Sequence, residues 1–91
     1  MALKVLRNEE LWFELSGNRF HPDDIAMVGN FILQLIYNDD DEYGLSDEEI
    51  DANTYEFAAL FEKFQRNRSK YLKQINKFLQ PYHLEIVIVK E

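Results

Sequence analysis

Between Asp39 and Glu56 the chain carries nine carboxylates, and the densest of them sit in Asn38-Asp39-Asp40-Asp41-Glu42-Tyr43-Gly44. Oxygen donors at this density are the ligand chemistry of a hard divalent cation such as calcium. A twelve-residue calcium loop counted from Asn38 puts Asp40 at position three, Glu42 at five, Leu45 at the apolar position eight and Glu49 at twelve. The turn position fails, because position six requires glycine and holds Tyr43. Counting from Asp39 restores Gly44 at six but puts Ile50 at twelve. The run therefore reads first as a solvated acidic loop, and cation binding over residues 38–49 stands as an alternative. Like charges held together repel, so such a loop suits contact with a basic partner.

Other chemistry is sparse. His21 and His83 lie where a helix and a strand begin, with no cysteine in the chain and no nucleophile at a matching spacing, so each reads as a cap or surface residue. No His-x-x-x-His pair is present, and Gly17, Gly29 and Gly44 are too far apart for a phosphate-binding loop. Asp23 and Asp24 are explained by a helix N-terminus, where the dipole favours acids. No catalytic residue, metal ligand or cofactor is assigned, and the chain is expected not to be an enzyme.

Opposite in sign, Lys63, Arg66, Arg68, Lys70, Lys73 and Lys77 supply six of the ten basic residues, with Tyr71 among them. That is a nucleic-acid footprint in miniature. The net charge of −7 opposes it, since phosphate attraction supplies much of such affinity. Direct nucleic-acid binding is therefore not expected. Acids followed by bases along one element also make that element a dipole, which antiparallel self-association would neutralise.

The elements that must hold these charges follow from periodicity. Ile50, Thr54, Phe57, Phe61, Phe64, Arg68, Tyr71, Ile75 and Phe78 recur at steps of four and three, one helical stripe interrupted only by Arg68. Ser46 with Glu49 is a capping box, and Leu45 with Ile50 is its hydrophobic staple. Pro81 sets the far end. A straight helix over residues 47–79 would span roughly 50 Å, longer than a compact chain of this size is wide. A break within residues 65–69 is the expected outcome, with Asn67 and Ser69 the available caps. The alternative is an overhang packed on a second chain.

Upstream, residues 3–6 and 11–15 read as a hairpin, with Leu11, Phe13 and Leu15 facing a core and Trp12 and Glu14 facing away. An outward Trp12 is a candidate binding anchor. Ser16, Gly17 and Asn18 mark a turn, after which Arg19 and Phe20 finish a short strand or lead into a helix. That helix opens at Phe20 or His21 with Pro22 at its first position and is expected over residues 22–37, apolar nearly all round and so buried. Gly29 offers room for a close neighbour. Residues 83–90 form a last strand, apolar on both faces, expected in the middle of the sheet or beside the first strand. If left uncovered, it pairs with another chain.

These elements predict a single α+β domain over residues 1–91, of order β-β-α-α-(α)-β: a three-stranded, mainly antiparallel sheet packed against two or three helices. With 46% hydrophobic residues and 14% aromatics the composition is globular. The most apolar run, residues 25–37, is too short to span a bilayer, and no secretory signal is seen. The absence of cysteine fits a reducing, cytoplasmic setting. The expected function is a small acidic, non-enzymatic interaction or regulatory module, which receives a basic protein surface on Asp39, Asp40, Asp41, Glu42, Asp47, Glu48 and Asp51, with Trp12. One version is nucleic-acid mimicry, carboxylates standing where phosphates would. Besides cation binding, the alternative is a homodimer through the long helix or the last strand. A domain of this kind suits a host regulator or a phage or mobile-element protein equally.

Overall fold

A computed structural model describes residues 2–17 and 20–89, in the order β1 (Ala2–Arg7), β2 (Glu10–Ser16), α1 (Pro22–Glu42), α2 (Asp47–Arg66), α3 (Arg68–Leu79) and β3 (Leu84–Val89). A 3-10 turn, Gln80–Tyr82, leads into β3. The fold is α+β, with three strands in one antiparallel sheet of order β2-β1-β3.

The hairpin closes through Asn8 and Glu9, whose φ angles of 53° and 69° are the two left-handed positions that a tight hairpin turn requires. Asparagine tolerates this conformation better than most residues, and Glu9 is strained by it. The Asn8 amide donates to the His83 carbonyl at 2.9 Å, which ties the turn to the start of β3. His83 is itself left-handed, at φ 58°.

Cross-strand partners share a face, so Leu3, Val5, Phe13, Leu15, Ile86 and Ile88 point one way, and Leu3, Val5, Leu84 and Ile86 are buried against the helices. The expected alternation along β2 holds for Phe13 and Leu15 and fails for Leu11. A bulge is the reason: Val5 pairs with Phe13 and Leu6 with Leu11, leaving Trp12 as the additional residue. Leu11 is turned off the core and is 55% exposed. Trp12 packs edge-on against Phe13 at 4.9 Å and borders α1, not the far face of the sheet.

The last strand is not interior; it is an edge beside β1. Its edge is closed from within the chain, because Asn76 on α3 donates to the Ile86 carbonyl at 2.9 Å and accepts from the Ile86 amide at 2.7 Å. One amide side chain thus replaces the strand that would otherwise add at the middle of β3.

Helix α1 opens as its residues predict, with His21 Nδ1 accepting from the Asp23 amide at 3.1 Å and Pro22 in the first turn. Two expectations for it are corrected. It is not buried all round, since Ile25, Val28, Ile32 and Ile36 are buried while the apolar Met27, Phe31 and Tyr37 are exposed. It also runs to Glu42, past the expected end at Tyr37.

The long apolar stripe is two helices. Ser46 caps α2 by accepting from the Glu49 amide, and its hydroxyl donates back to the Glu49 carboxylate at 3.0 Å. Asn67, with extended backbone at φ −148°, ends α2 and caps α3 by accepting from the Lys70 amide at 3.2 Å. Phe57, Phe61 and Phe64 stack along α2 at 5.5 Å spacings, and Phe78 of α3 joins Phe57 at 5.9 Å. Gly29 lets α1 approach them, since a Cβ there would lie 2.8 Å from the Phe61 ring. Arg68, which broke the apolar stripe, lays its guanidinium 5.5 Å from the centre of the Phe20 ring. The molecule measures 42 × 26 × 21 Å.

Candidate functional site

The acidic segment expected as a loop is the last turn of α1. Carboxylates at a helix C-terminus face the negative end of the dipole, and no basic residue stands in that turn to compensate. The turn is held instead by its backbone. Gly44, at φ 78°, donates to the Asp41 carbonyl and Leu45 to the Asp40 carbonyl, each at 3.0 Å. This is the Schellman arrangement, with glycine in the left-handed position and an apolar residue following it. Gly44 therefore closes a helix, and the twelve-residue calcium loop is not formed.

Asp40 is placed differently from its neighbours. It is only 4% exposed. Its Oδ2 accepts from Asn53 Nδ2 at 3.1 Å, and the Tyr82 hydroxyl donates to Oδ1 at 3.1 Å and Oδ2 at 3.3 Å. The carboxylate thus braces α1, α2 and the turn before β3. Burial and then this bond to Asp40 push the Tyr82 phenol up to about 12, with the charges of Asp39 and Glu56 adding to the effect.

The other expected residues lie on the surface. Asp41, Glu42, Asp47, Glu48 and Asp51 are exposed and Asp39 is half-buried. Trp12 is brought to them by the bulge: it lines a hollow of about 280 Å³ together with Phe31, Gln34 and Asp39. Asp39 also lines a second hollow, of about 410 Å³, with Glu42, Tyr43, Tyr82 and His83. Arg7 borders both. Trp12, Asp39 and Glu42 therefore lie on adjoining hollows. Glu48 and Asp51 lie apart from these, on the outward side of α2.

Tyr43 was not singled out by sequence reasoning, yet it is 80% exposed in the middle of the acids. The available signal was its position between a polar helix end and Gly44, which makes it a helix cap with an outward side chain. From Tyr43 a cleft of about 1080 Å³ runs between α2 and α3, floored by Ala59, Leu60, Phe78 and Pro81. Asp40 and Glu56 lie along it with Lys63 and Lys77.

Of the basic residues, Lys77 borders the cleft with Lys63 and a further hollow with Lys73. Arg66 pairs with Glu62 at 2.8 Å, and the Lys70 ammonium lies 5.4 Å from the centre of the Tyr71 ring. His21 serves as the cap of α1, and the His83 carbonyl is taken by Asn8. Among the described residues, no group of three or more His, Cys, Asp or Glu could hold a metal ion, and no helix is long and apolar enough to cross a membrane. Compared with models of known protein families, with curated proteins and with solved structures, the chain matches none.

Proposed function

We propose that this chain is a non-enzymatic interaction module that receives a basic surface of another protein at the acidic end of α1. The observation that carries this reading is the interleaving of rings and carboxylates: Trp12 shares one hollow with Asp39, and Tyr43 shares the next with Asp39 and Glu42. Arginine and lysine lay their stems along aromatic faces while their charged heads meet carboxylates, and aromatic anchors dominate interface energetics. Asp41 and Asp47, both exposed, add negative charge at the junction of α1 and α2. Asp40 supports the surface from below and does not belong to it.

The test is affinity capture from lysate of the source cells, followed by mass spectrometry, with a variant carrying Asn or Gln at Asp39, Asp41, Glu42 and Asp47. A partner held by the wild type, absent from the variant and eluted by moderate salt is the expected result. Equal retention by both proteins would refute the reading. Displacement of that partner by duplex DNA tests the version in which carboxylates stand in for phosphates.

A further inference from the structure

We infer that the cleft between α2 and α3 is a binding site for a small aromatic monocarboxylate. Its walls are antiparallel helices, since Phe57 of α2 meets Phe78 of α3 at 5.9 Å, while Asn53, earlier on α2, shares Asp40 with Tyr82, beyond the end of α3. Between them lies a space of about 1080 Å³, floored by Ala59, Leu60, Phe78 and Pro81. A large cleft with an apolar floor and a few convergent polar groups is the usual form of a small-molecule site.

The floor selects an aromatic body. Phe78 and Tyr82 are half-buried and stack at 6.2 Å with their planes 29° apart. Tyr43 and Tyr55 line the cleft as well, each 80% exposed. A planar ring laid on Leu60 and Phe78 continues the stack and removes their remaining apolar surface from water.

Charge selects the sign of the ligand. Four charged residues face the cleft, namely Asp40, Glu56, Lys63 and Lys77. Asp40 is taken up by Asn53 and Tyr82. Asn53 lies about 15 Å along α2 from Lys63, farther than charges interact through physiological salt. Glu56 stands one residue before Phe57 and Lys77 one before Phe78, so they nearly share a level across the cleft and offset each other. Lys63, six residues beyond Phe57, is left unmatched, because the ion pairs among the described residues involve His21 and Arg66. Its neighbour Glu62 already bonds Arg66 at 2.8 Å. One unmatched ammonium at the end of an apolar floor fits one carboxylate, and Gln74 lines the same cleft as a further donor. The inference does not rest on the proposed function: Asp39, Asp41, Glu42 and Asp47 do not line the cleft, and the variants used for the two tests do not overlap.

The experiment titrates 2-naphthoate to about 5 mM into the isotope-labelled chain and follows backbone amide chemical shifts, with 2-naphthalenemethanol as the neutral control and decanoate as the aliphatic one. Saturable shifts are expected at Ala59, Leu60, Lys63 and Phe78, with a Kd on the order of 0.1–1 mM. Both controls should bind at least about threefold more weakly. Lys63→Gln should weaken naphthoate binding by about threefold to tenfold. Ala59→Trp, at an exposed position, should abolish it by filling the cleft; unchanged shifts in the sheet confirm the fold of each variant. No saturable shift at the cleft residues by 5 mM overturns the inference. So does either control binding as well as naphthoate, or an affinity unchanged in either variant.

Discussion

At the scale of single residues, Asp40 separates what supports this surface from what could act on it. Five acidic or amide side chains in a row look equivalent, yet only Asp40 has its oxygens filled by Asn53 and Tyr82. Replacing it with alanine leaves a part-buried phenol and a part-buried amide without their partner, at a cost of about 2–3 kcal/mol. For a domain of this size that corresponds to a fall in Tm of roughly 10–20 °C, measurable by thermal denaturation, whereas Asp41→Ala should move Tm by no more than a few degrees. The raised Tyr82 phenol makes a second prediction. The folded state favours the neutral phenol, so its contribution is complete below pH 10 and is lost as pH rises from about 10 to 12. Wild-type Tm should fall across that window, and Tyr82→Phe should flatten the fall. None of this was legible beforehand, because Asp40 and Tyr82 are 42 positions apart and belong to no shared period.

At the scale of elements, legibility followed how local the cause was. The capping box at Ser46 and the break at Asn67 are short-range chemistry, and both helix starts stand where those residues put them. The end of α1 was equally local and was misread. Gly44 was weighed as a misplaced calcium-loop glycine, when Gly44 followed by Leu45 is the signature of a helix terminus. The bulge at Trp12 was out of reach, since it exists only as a mismatch between β2 and β1. So was the closure of β3, which depends on Asn76 reaching a strand that had been expected either in the middle of the sheet or beside β1. Asn76→Leu removes both of its bonds to Ile86, and we expect a loss of about 1–3 kcal/mol in chemical denaturation. Light scattering should also rise with concentration and time, because the middle of an apolar edge strand is then open. Asn76→Asp keeps the acceptor for the Ile86 amide and should lie between the two in both measurements.

At the scale of the whole molecule, charge is distributed along the chain as well as in excess. Acids crowd the junction of α1 and α2 while Lys70, Lys73 and Lys77 occupy α3, and the net charge is −7. Repulsion at the acidic end is aggravated by the negative end of the α1 dipole and is relieved by screening. Raising NaCl from 20 mM to 0.5 M should increase Tm by a few degrees. The gain should shrink in an Asp41→Asn, Glu42→Gln variant; a wild-type Tm that is flat or falls with salt would contradict this account. The same polarity orients any charged partner before contact, which sets association rate more than final affinity.

The sheet also sets an order on synthesis. Its central strand, β1, comes first and must wait for β3, whose register runs from Arg7↔Leu84 to Ala2↔Val89. Until the ribosome has released residues 84–89, β1 has a partner on one side only, and the helices are packed against an unfinished floor. A hairpin alone is marginal in water, so β1 and β2 keep their place only once the helices cover Leu3 and Val5 and β3 supplies the second partner. Completion is then a single late event, the docking of β3, which brings in Ile86 and gives Asn76 its partner together. Nascent chains stalled before Leu84 should therefore be the protease-sensitive and chaperone-bound species of this protein, and chains stalled with Val89 clear of the exit tunnel should be protected.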